Sequence, residues 1–239
     1  MKNSFGGIAR LALLATGLQL LSLPAQALTV EVQGDVAVLG GSMDYPDGRR
    51  LKAAYEQGVR TFVLRRVAGG DMNAIYATAD VLGDLKVRVV LDGVCSGGCE
   101  QLLAAGVERR FMPPTKDGIT AVLIRGAMYY GDSTGPSNMP QSYALARSIL
   151  APAIPSELIR KHTNGSRIDG ALVIIPDGSD AGVLDCDSLK GAPASCRQVQ
   201  GLDGSSSGLF TNLEPWVPAL KTREPDARST DASGAGSRP

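Results

Sequence analysis

Histidine is nearly absent from this 239-residue chain, which has only His162. Chemistry that needs several imidazoles, as multi-histidine metal centres do, is excluded on that count. Aromatic residues make up 5% of the chain, with a single tryptophan, which argues against a carbohydrate-stacking platform. An excess of either charge is also lacking: 24 Lys and Arg stand against 24 Asp and Glu, with no basic block. Nothing here draws nucleic acid or an anionic membrane electrostatically. Past the N-terminus, no run approaches the roughly 20 apolar residues of a membrane helix.

What the N-terminus does have is an export pattern. Lys2 and Arg10 precede an apolar run over residues 11–23, Pro24 breaks it, and Ala25-Gln26-Ala27 gives a small-x-small cleavage site. The run is shorter than a spanning helix, so a cleaved signal over 1–27 is favoured over a retained anchor. The mature chain then starts near Leu28, with no stable membrane insertion. Removing Lys2 and Arg10 leaves 22 basic against 24 acidic residues. An exported chain points to a secreted or bacterial periplasmic protein.

Four cysteines remain: Cys95, Cys99, Cys186 and Cys196. In an oxidising compartment an even set implies two disulfides, and the local pairs 95–99 and 186–196 are favoured among three pairings. A zinc site is the rival, but Cys-x3-Cys with a lone histidine does not fit the usual spacing. No metal or other cofactor is expected.

Periodicity over the first half alternates between strand and helix. Residues 28–32 and 36–39 read as a strand pair about the turn 33–35, followed by a helix over 47–57 and a strand over 60–66. Gly69-Gly70-Asp71 reads as a turn, 72–82 as a helix with Met72, Ile75, Tyr76 and Ala79 on one face, and 86–91 as a strand. A short helix then runs to Ala105, stopped by Gly106. This βαβαβα order predicts an α/β fold with a mainly parallel sheet. Further strands are expected at 109–112, 119–124 and 171–175, and helices at 142–150 and 155–162. Residues 176–208 are rich in Gly, Ser and Asp, and the chain from about 221 reads as a disordered tail. One domain over 28–220 accounts for the rest.

Two glycine-rich turns follow successive strands: Val67-Ala68-Gly69-Gly70 and Gly93-Val94-Cys95-Ser96-Gly97-Gly98-Cys99. In an open α/β sheet such turns face one crevice, and backbone N–H groups at Gly69, Gly70 and Gly97 could form an oxyanion hole. Neither turn fits a dinucleotide fingerprint or a P-loop. Structural turn-making explains the glycines as well.

The block 36–114 resembles the ClpP/crotonase fold, and within it the exported bacterial ClpP-like proteins. The matching pieces are Arg66-Val67-Ala68-Gly69-Gly70, the crossover helix 72–82, the strand 86–91, Cys95-Ser96-Gly97-Gly98-Cys99 and Ala105-Gly106-Val107-Glu108-Arg109. The resemblance implies a repeated β-β-α core, and it leaves a homo-oligomer open, because relatives form rings or trimers.

At the chemistry the chain departs from that family. The nucleophilic serine belongs in the middle of Cys-x-Ser-x-Cys, where this chain has Gly97, with Ser96 one residue early. The family's histidine would fall near Ile124-Arg125-Gly126, and a guanidinium stays protonated at any working pH. A serine without an adjacent base is a weak nucleophile. The expectation is therefore a non-catalytic protein, a pseudoenzyme binding a peptide or an envelope protein. The alternative is a serine hydrolase with a rebuilt site, Ser96 as nucleophile and His162 as base, oriented by Asp169 or Asp177. For His162 itself, a surface or helix-capping place is the default. An acyl-CoA enzyme of the crotonase branch does not suit an exported chain, and a redox role for Cys95/Cys99 departs from the usual Cys-x-x-Cys. Asn164-Gly165-Ser166 fits the glycosylation sequon by a short match. Arg65-Arg66 and Arg109-Arg110 read as solvated strand ends, Tyr129-Tyr130 as core or edge-strand residues, and Trp216 as an anchor for the end of the domain.

Overall fold

A computed structural model describes residues 28–43, 47–114, 118–125, 149–150, 152–163, 170–177, 182–190 and 195–218. The export segment, Tyr129-Tyr130, the sequon, Asp169 and the C-terminal tail lie outside the described residues.

Strand β1 (Thr29–Gln33) and β2 (Val36–Met43) form a hairpin about Gly34-Asp35. Period-two burial along β2 puts Ala37 and Leu39 inward, which sets its register. Helix α1 (Asp47–Glu56) then leads into β3 (Thr61–Gly70), α2 (Met72–Leu85) and β4 (Arg88–Asp92). Asp71 caps α2, its carboxylate accepting from the Ala74 N–H at 3.0 Å. After β4 the chain makes β5 (Val94–Ser96), α3 (Cys99–Ala105), β6 (Glu108–Phe111) and β7 (Ala121–Ile124). Helix α4 (Ser156–Thr163) and strands β8 (Ala171–Ile175), β9 (Gly182–Cys186) and β10 (Cys196–Gln198) follow.

The strands form two five-stranded sheets. The first, in the order β1-β2-β3-β4-β6, is parallel except for the β1/β2 hairpin. The second, β10-β9-β8-β7-β5, is antiparallel except for β5 against β7. The α/β class is thus observed, but a mainly parallel arrangement describes only one of the two sheets.

Two backbone features separate the sheets. Arg66 adopts a positive φ of 55°, and the β2/β3 register shifts between Leu39 and Met43. Beyond Arg65 the β3 ladder to β4 ends, while β3 continues beside β2 to Gly70. At the same level Gly93, with φ 89°, turns the chain out of β4 and into the second sheet. Residues 69–71, expected to be a turn, thus begin as the end of a long strand.

One core joins both sheets, running from Leu39, Leu64 and Phe62 through Leu102 and Leu103 of α3 to Leu172 and Ile174 of β8. Each such fully buried side chain contributes about 1.5–3 kcal/mol. All five residues of β8 are buried, because a second, smaller cluster around Ala171, Val173 and Ile175 covers its other face.

The edge of β6 is covered by the segment 211–216. The Thr211 N–H donates to the Arg109 carbonyl and the Trp216 N–H to that of Phe111. The Arg109 guanidinium, half buried, donates to the carbonyls of Gly106, Gly208 and Leu209. Arg109 therefore ties the terminal segment down, where a solvated strand end was expected. The Trp216 segment is held against β6 through its backbone.

Both local disulfides are formed. Cys186 and Cys196 face each other across β9 and β10 with Cα atoms 4.0 Å apart. β10 is only three residues long, so the crosslink holds an edge strand that hydrogen bonds alone would hold weakly. Replacing both cysteines by serine is expected to cost about 3 kcal/mol in urea denaturation, from the loop-closure entropy of a loop this short. A loss under about 1 kcal/mol would mean that the 187–195 loop is already ordered without the bond.

Candidate functional site

The second glycine-rich segment is not a simple loop. Val94, Cys95 and Ser96 pair in parallel register with Ala121, Val122 and Leu123 of β7. Gly97 and Gly98 then reverse the chain with φ of 71° and 99°, a left-handed pair only glycine adopts without strain. The reversal brings Cys95 in the strand within 5.5 Å, Cα to Cα, of Cys99 at the first position of α3. Cys95 therefore bonds Cys99 from a strand, not from the turn itself. A side chain at Gly97 would sit in the left-handed region, so the position expected for a nucleophile is strained for serine.

Ser96 is half buried, and among the described residues its hydroxyl makes no hydrogen bond. Its strand closes the second sheet, with a ladder to β7 on one side only among the described residues, and it packs beside β3. Val94 at its start is 45% exposed.

Behind the turn lies a residue that sequence reasoning passed over. The Glu100 side chain is fully buried, and its Oε2 accepts from the Gly98 N–H at 3.0 Å. Oε1 has no hydrogen-bond partner among the described residues. Burial pushes the Glu100 carboxyl up to about 7. Hydrogen bonds from the Glu100 and Gly98 N–H groups, and then the positive charge of Arg125, oppose this without overcoming it. The charge of Arg125, at the expected histidine position, thus reaches Glu100. The available sequence signal was an acidic residue in the first turn of a helix behind Gly-Gly.

His162 is in a different place. On the last turn of α4 it is 4% exposed, not on the surface, and its Nε2 lies 2.7 Å from Asp185 Oδ1 on β9. Nδ1 is buried without a partner among the described residues. The ring also lies against Gly170, where a Cβ would come within 3.4 Å of Cε1. Asp185 accepts in addition from Lys161 Nζ at 2.7 and 2.8 Å, and Lys161 also pairs with Asp187 at 2.8 Å. Exposed Arg197 on β10 reaches both carboxylates.

Charge balance in this cluster is visible in its ionisation. Burial works against the Asp185 carboxylate, but hydrogen bonds from Lys161 and His162 hold it below its ordinary value. The Lys161 hydrogen bond does the same for exposed Asp187. Partial burial disfavours the Lys161 ammonium, and Asp185 and Asp187 outweigh it, raising its pKa.

Ser96 and His162 are not brought together. β7 and β8 lie between β5 and β9, so the backbones of Ser96 and Asp185 stand roughly 14 Å apart across the sheet at the usual strand spacing. The carboxylate at His162 is Asp185. Asp177 lies exposed beyond the far end of β8 from the Leu172/Asp185 pair.

Gly69 and Gly70 end β3, with Gly70 pressed onto Met43 of β2: an added Cβ would lie 2.3 Å from the Met43 carbonyl oxygen. Of the backbone donors at the two turns, the Gly98 N–H is already taken by Glu100. Among the described residues no helix is long and apolar enough to cross a membrane. No protein-family model matches this chain, and no curated protein matches it.

Proposed function

We propose that this chain is an exported protein, working in a bacterial periplasm on a ClpP/crotonase-like scaffold, that binds rather than hydrolyses. Its ligand on this reading is an extended segment, as a free peptide or as part of an envelope protein. The observation that carries the reading is the commitment of the chemical groups to internal partners. His162 Nε2 engages Asp185 on β9, and the Gly98 amide engages Glu100. Gly97 holds no side chain where the family's serine would stand. A hydroxyl without a base in reach lacks the activation that acyl transfer requires.

What supports an extended ligand is β5. Its ladder among the described residues runs to β7 alone, Val94 at its start is half exposed, and a strand edge of this kind pairs with a further strand through its backbone. The two disulfides and the cleavable N-terminal pattern support export.

The test is a fluorophosphonate probe on the purified, oxidised mature chain, beside Ser96→Ala. Neither protein is expected to be labelled. In a peptide-library screen both are expected to show the same saturable binders, since the hydroxyl does no chemistry. Labelling of the wild type that disappears in Ser96→Ala overturns the reading in favour of a hydrolase using Ser96.

A further inference from the structure

The Glu100 carboxylate is a buried acid that the binding reading leaves without a role. It sits between a disulfide and a double-glycine turn, and its two oxygens differ: one takes the Gly98 amide, the other has no partner among the described residues. A neutral carboxyl tolerates that place, whereas a carboxylate leaves one oxygen without its hydrogen bonds in a dry environment. Gly97 and Gly98 are conformationally permissive, so within the span closed by the Cys95–Cys99 bond the turn has backbone freedom that other residues would lack.

We propose that Glu100 is a proton-operated latch, holding the Gly97-Gly98 turn closed when protonated and loosening it when ionised. The proposal concerns the conformation of the turn, and it stands whether or not the protein binds a peptide.

The surroundings leave Glu100 little means of escaping this coupling. α3 packs against α2, β3, β4, β5 and β7. On α2, Asp71 is occupied as the helix cap, Asp80 and Asp84 are exposed, and Tyr76 is half buried. On β3 and β4, Arg65 pairs with Asp92 and Arg88 with Glu108, while Arg66 is exposed. β5 offers only Cys95, which is bonded and does not titrate. The charge that acts on Glu100 is that of Arg125, just past β7, and it is the weakest of the influences on the group.

The direction follows from linkage. With the turn open, Glu100 is solvated and titrates at its ordinary 4.5; with the turn closed it titrates at about 7. Between those values the closed form holds a proton that the open form has released, so closure weakens as the pH rises. Above about 7 both forms are ionised and the effect levels off. The carboxylate's hydrogen bond to Gly98 strengthens on ionisation, but burial dominates.

Amide hydrogen exchange on the oxidised mature chain tests this. The protection factor of the Gly98 N–H, corrected for intrinsic exchange, is expected to fall by on the order of 100-fold from pH 4.5 to 7 and then hold. In Glu100→Gln, which keeps the acceptor and cannot ionise, it is expected to stay flat. A flat wild type, or an equal fall in the variant, overturns the proposal. Should the variant not fold, the wild-type Glu100 carboxyl is followed by carbon NMR. A midpoint near 7 tracked by the Gly98 amide supports the latch, and a midpoint near 4.5 overturns it.

Discussion

Gly70→Ala is expected to destabilise the mature chain by about 3 kcal/mol or more, and to do so without removing any side chain. Gly70 ends β3 with φ 156°, and an added methyl would lie 2.3 Å from the Met43 carbonyl oxygen and 2.8 Å from its amide nitrogen. Those atoms belong to the backbone of β2, so relief requires the two strands to part. That separation would also displace Asp71, the cap of α2, and with it the helix that crosses to β4. Gly83→Ala serves as the control in the same thermal and urea melts. It lies inside α2, and its added methyl meets nothing closer than 3.9 Å, so helix propensity should stabilise it by up to about 1 kcal/mol. Equal midpoints for the two variants would mean that β2 and β3 do not meet at Met43 and Gly70.

Asp185→Ala is the second large effect, expected to cost about 2–4 kcal/mol at pH 6. The carboxylate is the shared acceptor for Lys161 and for the buried Nε2 of His162, and its removal strands the imidazole N–H and takes one of the two acceptors of Lys161. The loss stays moderate because Lys161 keeps Asp187 and is itself partly exposed. The pH profile identifies the cause. Asp185 is held below its ordinary carboxyl value of 3.8, so its contribution is present above that value and is lost as the pH falls through the folded value. Lys161 is raised above its ordinary 10.5, so its contribution is present below that and is lost as the pH rises through the folded value. Urea denaturation should therefore show the wild type losing stability steeply in acid, while Asp185→Ala is already weaker at pH 6 and falls less. Parallel acid limbs for the two proteins would remove Asp185 from the account. Asp187→Ala, at an exposed position, should change little, because surface pairs contribute little.

These two clusters lead the functional reading in one direction. The histidine that a hydrolase would use as its base takes part in a structural knot, tying the end of α4 to β9 beside the Cys186–Cys196 bond. The Gly98 amide, next to the Gly97 donor of the expected oxyanion hole, is held by Glu100. Both arrangements stabilise the resting fold, and both withdraw donors and acceptors from solvent-facing chemistry.

Much of the architecture was legible because it is written in short windows. Alternation over 36–39 and 60–66, the helical spacing of Ile75, Tyr76 and Ala79, and the stop at Gly106 each depend on neighbours within a turn or two. Residues 182–186 and 196–198 fell in a stretch read only as Gly-, Ser- and Asp-rich, and their strands were missed. Short segments carry too little periodicity to separate a strand from a loop. The local disulfides were accessible for the same reason as the helices, since each closes only a few residues.

The sequence by itself determined the order of strand and helix in the first half, the local cysteine pairs and the absence of a serine from position 97. Only the tertiary structure decided which sheet each strand joins, because Arg66 and Gly93 divert the chain at points that no periodicity marks. It alone decided that His162 meets Asp185, a partner 23 residues away, and not Ser96. It alone made Glu100 a buried acid. Desolvation comes from everything packed around a group, and α3 is enclosed by elements drawn from residues 61 to 124.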